Sequence, residues 1–263
     1  MYDFQYVKPS SVAEALAALK GEDAQPISGG QTLIPTLKQR LNRPSHLVDL
    51  TKIADLVGIE VTGEAVTIKG ATTHAAVAGH AGVQKAIPAL AHLAAHIGDP
   101  QVRNRGTIGG SVANNDPAAC YPAAVLALGA TVLTPSREIA ADDFFQGMFT
   151  TALEVGEIVT GVRFPIPGRA SYQKFVQPAS RFALTAVFVA KFADGVRVAA
   201  TGASESGVFR WAEAEAALAA DFSAKAVESL SLAADGMIGD IHGSPEYRAH
   251  LVKVMTKRAV EAA

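Results

Sequence analysis

Two short segments carry the residues best suited to chemistry. The first is Ile27-Ser28-Gly29-Gly30-Gln31-Thr32-Leu33-Ile34-Pro35, and the second is Arg105-Gly106-Thr107-Ile108-Gly109-Gly110-Ser111. Each joins adjacent glycines to small hydroxyl or amide residues. Glycine admits positive φ and lets a ligand approach the backbone closely. Consecutive N–H groups can then converge on an anion, and a helix starting there adds its dipole. Neither segment has Lys or Arg after its first glycine. A diphosphate would be held by neutral backbone donors and by the hydroxyls of Ser28, Thr32, Thr107 and Ser111. Either Gly-Gly pair alone would pass for an ordinary turn. Two of matched chemistry in one chain point to a phosphate cradle. No Gly-x-Gly and no Gly-x-x-x-x-Gly-Lys-Ser/Thr occurs, so the cradle is neither a Rossmann fingerprint nor a P-loop.

The rest of the composition narrows the chemistry. The chain has 263 residues, 49% hydrophobic and 18% charged, enough for a full core and unlike a disordered chain. Lys+Arg 23 against Asp+Glu 25 leaves a net charge of −2, which argues against bulk binding to nucleic acid or anionic membrane. Cys120 is the one cysteine. An intrachain disulfide and an iron–sulfur cluster built from several thiolates of this chain are both excluded, so redox chemistry here needs an organic cofactor. Met1 to Tyr6 lacks the charge and apolar pattern of a secretory signal. The longest apolar stretch, roughly 121–133, is broken by Pro122, Gly129 and Thr131; a membrane span needs about 20 apolar residues. The expected location is the cytoplasm, with no integral membrane segment.

These loops must be held by regular elements. Ser11 and Glu14 have capping-box spacing, and the helix they open should stop at Gly21. Gln31 to Leu41 has helical spacing, and His46 to Leu50 reads as a strand. Val57–Val61 and Ala65–Lys69 bracket a hairpin turn at Thr62-Gly63-Glu64. Ala75 to Gly98 should be helical in pieces, broken near Gly79, Gly82 and Pro88. A buried helix (Pro122–Leu128) and a strand (Ala130–Thr134) follow. A strand over Glu157–Phe164 closes at Pro165-Ile166-Pro167-Gly168, the best domain boundary. Beyond it, Ser171–Val176 reads as a strand, and Leu184–Phe192 and Val196–Thr201 flank a hairpin turn at Ala193-Asp194-Gly195. Helices are expected over 211–220, 223–233 and 245–262. The fold class is α+β, with domains at 1–167 and 168–263.

At this point the two loops resemble a known family. Ser28 to Pro35, with Leu37, Arg40 and Leu41, resembles the first FAD loop of the molybdenum hydroxylase flavoproteins. Asn104-Arg105-Gly106-Thr107-Ile108-Gly109-Gly110-Ser111-Val112-Ala113-Asn114-Asn115-Asp116-Pro117-Ala118 resembles the second. Gly70-Ala71-Thr72-Thr73-His74, Tyr172 to Phe175, Ser180 to Leu184 and Ser244 to Arg248 match further segments, so the resemblance covers essentially the whole chain. The family comprises the medium subunits of carbon monoxide dehydrogenase and xanthine dehydrogenase type enzymes. It implies a two-subdomain FAD-binding domain of the vanillyl-alcohol oxidase (PCMH) type, followed by a smaller C-terminal domain of antiparallel strands with helices.

The resemblance also implies roles. Ser28, Gly29, Gly30, Gln31, Thr32 and Leu33 would wrap the pyrophosphate of a non-covalent FAD, with Thr107, Gly109, Gly110 and Ser111 on its other side. Ile97 would lie beside the flavin, and Asp116 would accept cofactor or backbone hydrogen bonds. Lys174 would stand near the isoalloxazine, and Phe182 would cover it. By residue type alone, Lys174 is a solvated strand lysine and Phe182 a core aromatic. Cys120 departs from the family, standing where many relatives have Asp or Glu; a thiol is a poor acceptor, so that contact is lost or supplied by Asp116. Gln31 replaces a family His or Asn.

His92 and His96 lack the Glu of a zincin, since Leu93 stands there. His74 falls in a family segment that could reach the flavin edge. Ser204 is not in a nucleophile elbow. Trp211 reads as packing, and Arg103 and Arg105 are left open between carboxylate pairing, the adenine end and a partner.

The function implied is that of an oxidoreductase subunit with no catalytic side chain and no metal of its own. Partner subunits would carry the rest: a large subunit with the molybdenum cofactor and a small subunit with two [2Fe–2S] clusters, assembled as a dimer of heterotrimers. Electrons would pass from the clusters through FAD to an external acceptor. A free-standing FAD oxidoreductase of the same superfamily would need its own acid–base group. A non-catalytic assembly protein would have no use for intact glycine loops.

Overall fold

Residues 1–50 alternate short strands with helices, which makes the pairing parallel because each crossover is helical or long. β1 (Gln5–Val7), α1 (Val12–Ala18), β2 (Ala24–Ile27), α2 (Leu33–Lys38) and β3 (His46–Asp49) form a sheet of order β1-β3-β2. The computed structural model describes residues 1–263. Ser11 caps α1 through its hydroxyl, which accepts from Glu14 N at 3.2 Å. The Glu14 carboxylate reaches back to Ser10 N rather than Ser11, a capping box displaced by one residue. The helix expected over Gln31–Leu41 is shorter. Thr32 makes no side-chain cap, and Arg40 turns left-handed at φ +61°, so the ends are turns.

β4 (Ile59–Val61) and β5 (Ala65–Lys69) form the expected hairpin. The helical run then breaks into α3 (His74–Gly79), α4 (Ala81–Ala86) and α5 (Pro88–Ala95). His80 Nδ1 caps α4 by accepting from Val83 N at 3.3 Å, and Pro88 opens α5, where its missing N–H costs nothing. α6 (Pro100–Arg105), α7 (Ile108–Asn114) and the fully buried α8 (Tyr121–Ala127) follow. β6 (Thr131–Leu133), β7 (Glu138–Ala140), α9 (Ala141–Phe144), the small pair β8 (Phe145–Gly147) and β9 (Thr150–Thr151), and β10 (Gly161–Pro165) complete this part. Its antiparallel sheet has order β4-β5-β10-β6-β7. The strand expected over Glu157–Phe164 starts later, at Gly161.

The remaining strands, β11 (Arg169–Val176), β12 (Ala183–Phe192), β13 (Gly195–Ser204) and β14 (Gly207–Arg210), form an antiparallel meander in chain order. Ser204 to Gly207 is its last turn. α10 (Ala212–Ala220) and α11 (Pro245–Ala262) cover one face. The helix expected over 223–233 is absent. Only a 3₁₀ turn forms at Ala224–Val227. Leu230 and Leu232, two apart, both pack against the core beneath, a spacing of extended chain rather than helix.

β12 is buried throughout Ala183–Ala190, because both of its faces are covered. Ala186, Phe188 and Ala190 join the core of the middle sheet. Val187 and Val189 face a second core under α10 and α11. The main hydrophobic core runs from Val66 to Ala199, across both sheets.

Candidate cofactor cleft

A cleft of about 650 Å³ opens between the N-terminal sheet, the α5–α8 region and the β11–β12 turn. Every residue expected at the cofactor lines it: Ser28 to Leu33, Ile97, Thr107, Gly109, Gly110, Ser111, Asp116, Lys174 and Phe182. The size lies within the range of cofactor pockets.

The first loop connects β2 to α2. Its amide N–H groups, Ser28 to Thr32, donate to no group of the protein, although Gln31 Nε2 donates to Gly29 O at 3.0 Å. Gly30 has φ +70°, which turns successive amides toward one side. A Cβ on Gly29 would run into the Arg105 carbonyl and lie 2.6 Å from Gly106 Cα. The two loops therefore meet backbone to backbone. A side chain at 29 would force them apart.

The second loop works differently from the expectation. Thr107 caps α7; its hydroxyl accepts from Gly110 N at 3.3 Å and donates to Ser28 Oγ at 2.8 Å. Ile108 N donates to Thr72 O, Gly109 N to Gly70 O at 2.9 Å, and Ser111 N to Thr107 O. The Gly109 amide is thus held by Gly70 O and the Thr107 hydroxyl by Ser28, while the Thr107 amide donates to no group of the protein. A Cβ on Gly109 would lie 2.6 Å from Gly70 O, so the glycine is required by the Gly70 backbone. The run of free amides lies in the first loop; the second adds the Thr107 amide and otherwise braces the first.

The other wall residues divide by role. Arg103 Nη1 donates to Ile97 O at 3.0 Å and Gly98 O at 3.2 Å. It holds the turn that presents Ile97. Asp116 Oδ1 accepts from Ala118 N at 2.8 Å and shapes the segment leading to Cys120. Lys174 Nζ donates to His96 O at 2.9 Å and lies 3.5 Å from Cys120 Sγ, bridging the end of α5 and the start of α8. Phe182 is half exposed at the cleft rim, not a core aromatic. His74 is buried beside Gly106 and is among the residues lining the cleft. Burial, with the nearby Arg103 charge, lowers its pKa to about 4, so the imidazole is neutral at pH 7. Burial also pushes the Tyr121 and Tyr172 hydroxyls up, so both stay protonated.

Sequence reasoning missed several wall residues. Asn42 Nδ2 donates to Gln25 Oε1 at 2.9 Å, an amide pair at one end of the cleft whose partners have no periodic relation. Ile158 and Val159 line the cleft ahead of β10, where a strand was expected. Glu157 is held bidentate by Arg137, at 3.0 and 2.7 Å, which lowers its pKa to about 2. Gly70 was within reach, since it opens one of the family segments. His92 and His96 stack at 4.1 Å, and no three His, Cys, Asp or Glu side chains are placed to hold a metal ion. No helix is long and apolar enough to cross a membrane.

The free amides, the backbone contact between the loops and the matched lining fit a dinucleotide pyrophosphate. Comparison with known proteins gives the same answer. Residues 2–167 match the family described as the FAD binding domain in molybdopterin dehydrogenase. The chain is 42% identical over 192 residues to the carbon monoxide dehydrogenase medium chain of Afipia carboxidovorans, covering 70% of this chain and 67% of that one. It is 37% identical over 189 residues to the nicotine 6-hydroxylase medium subunit of Paenarthrobacter nicotinovorans, covering 70% and 67%. Among solved structures, quinoline 2-oxidoreductase from Pseudomonas putida 86 superposes with a TM-score of 0.90 at 32% identity, covering 100% of this chain and 97% of that one. Reconstituted CO dehydrogenase from Oligotropha carboxidovorans gives 0.91 at 36%, covering 99% and 97%. The fold and cleft define an FAD-binding flavoprotein with a PCMH-type domain. The chain belongs to the medium subunits of the molybdenum hydroxylases, and is an oxidoreductase component.

Proposed function

We propose that this chain is the electron-transfer flavoprotein of a three-subunit molybdenum hydroxylase. It receives electrons from [2Fe–2S] clusters on a small partner subunit and passes them to an external acceptor. The organic substrate is hydroxylated at a molybdenum cofactor on a large partner subunit, and the assembly is a dimer of heterotrimers in the cytoplasm. Relatives are named for substrates as unlike as carbon monoxide and nicotine, which supports substrate choice on another chain.

The observation that carries this reading is the run of unpaired amides from Ser28 to Thr32, facing the cleft beside Thr107-held Ser28. FAD, when bound, supplies the redox chemistry. The protein binds and orients it. Ser28 to Leu33 hold the pyrophosphate, and Thr107, Gly109, Gly110 and Ser111 close the opposite side at the first turn of α7. Ile97 and Phe182 are apolar walls, Asp116 shapes the loop before Cys120, and Lys174 places a cation at the ring end. Cys120 takes no carboxylate role; its thiol packs at Lys174. The FAD domain is residues 1–167, and 168–263 form the C-terminal domain.

Purified protein should carry one dissociable FAD per chain, seen by visible absorbance after reconstitution and release on acid precipitation. Tagged chain from its native host should co-purify with molybdenum- and iron-containing partners. A chain that never takes up FAD, or a flavoprotein that purifies alone, would refute the respective half of the reading.

A further inference from the structure

Two walls of the cleft are held from behind by one buried guanidinium. Arg248, near the start of α11, is 4% exposed. Its Nη1 donates to Leu184 O at 2.7 Å and Gly202 O at 2.6 Å, and its Nη2 to Asp240 Oδ2 at 2.7 Å. A buried guanidinium is tolerated only when paired and hydrogen-bonded; Asp240 and the two carbonyls meet this at Nη1 and Nη2, while Nε has no partner. None of these residues lines the cleft.

Each carbonyl leads to a different wall. Leu184 stands two residues after Phe182, at the end of the β11–β12 turn. That turn, whose Ser180, Arg181 and Phe182 line the cleft, is closed at its base by Gln177 N donating to Phe182 O at 2.9 Å. Gly202 lies where the β13–β14 register breaks, between Ala200 and Ser204, and has φ +83°. A Cβ there would lie 2.6 Å from the Ala183 carbonyl oxygen, so at this end of the antiparallel β12–β13 pair the backbones are in contact. Gly202 N donates to Pro117 O at 2.7 Å. The Thr201 hydroxyl lies 2.8 and 2.9 Å from Pro117 O and Ala119 O, its single proton serving one at a time. The segment so gripped is Asp116–Cys120, the wall bearing Asp116 and the thiol beside Lys174.

We infer that Arg248 is a positioning residue for the cofactor. By drawing Leu184 and Gly202 together it fixes the Ser180–Phe182 rim and the Asp116–Cys120 wall in one relative placement, with Asp240 aiming the guanidinium. The inference rests on the cleft being the FAD site. It predicts that the C-terminal helix sets FAD affinity without touching FAD.

The test is FAD titration of apo-protein, with release rate, the visible flavin spectrum and thermal melting of the apo form. The variants are Arg248→Met, Arg248→Lys, Asp240→Asn and Thr201→Val. Arg248→Met leaves buried carbonyls unpaired and should weaken FAD binding roughly tenfold or more, speed release and alter the flavin spectrum. Arg248→Lys, which keeps one charged donor, should recover part of the affinity while apo melting stays close to wild type. Thr201→Val combined with Arg248→Lys should weaken binding by less than the product of the single effects, because both act on one wall. FAD binding unchanged in Arg248→Lys and Asp240→Asn would overturn the inference, and these two decide it if Arg248→Met does not fold. A wild-type chain that binds no FAD would instead overturn the cleft assignment itself, and this proposal with it.

Discussion

Glycines 29, 30 and 109 look alike in the sequence and serve different physical needs. Gly30 takes a left-handed φ, Gly29 lets two loops touch, and Gly109 lets α7 touch Gly70. Gly29→Ala should therefore cost about 1–3 kcal/mol of stability by overpacking, and release FAD as the loops separate. Denaturant unfolding of the apo-protein and FAD titration check the two effects. His74 carries a separate prediction. Its pKa falls from 6.5 to about 4 on folding. Between those values the unfolded chain binds a proton that the folded chain refuses, so stability falls as pH drops through this window. The loss is on the order of 3 kcal/mol. It should appear in urea midpoints measured from pH 7 to pH 4, and His74→Gln should flatten the slope. That His74 is buried could not be read from its type; the residues around it come from α6, α8 and the second loop.

At the scale of elements, Thr107 is the point where helix formation and loop assembly coincide. It caps α7 and ties Ser28 across the cleft. Thr107→Val should lose about 1 kcal/mol from the cap and weaken FAD binding, while Thr107→Ser retains both. Melting curves and FAD titration on the two variants make the comparison. Local signals were legible where the side chain satisfies its own backbone. Ser11 caps its helix as its spacing implies, and Asp194-Gly195 turns the β12–β13 hairpin. They failed where tertiary contacts ruled. Residues 223–233 have helix-forming composition, but Leu230 and Leu232 are drawn to one core surface. Ile158 and Val159 have strand composition, but they serve as cleft wall.

At the scale of the molecule, the domain boundary proposed at Pro165–Gly168 does not divide the core. Tyr172, Ala183, Phe188 and Ala199 from the C-terminal sheet pack into the same cluster as Val66 and Leu90. Cleft residues Lys174 and Phe182 also lie beyond the boundary. A chain cut to residues 1–167 should expose that shared apolar face. It should melt without a sharp cooperative transition, aggregate, and bind FAD far more weakly than the full chain. Calorimetry, light scattering and FAD titration on the truncated chain give the check; cooperative melting with full FAD affinity would refute a shared core.

The amino-acid sequence by itself determined the class of chemistry. A single cysteine excludes an iron–sulfur cluster of this chain's own thiolates, and the resemblance carried by the two glycine loops implies FAD; each loop is a short contiguous segment. Glycine pairs, helix caps and hairpin turns are short-range features, so their meaning is written within a few residues. Only the tertiary structure decided which loop offers the run of free amides. Whether an N–H is free depends on which acceptor reaches it from elsewhere: the Gly70 carbonyl reaches the Gly109 amide, while no acceptor reaches the amides of Ser28 to Thr32. The same holds for Arg248. Its worth to the cleft lies in carbonyls 64 and 46 residues away, brought together by strand packing that no local pattern encodes.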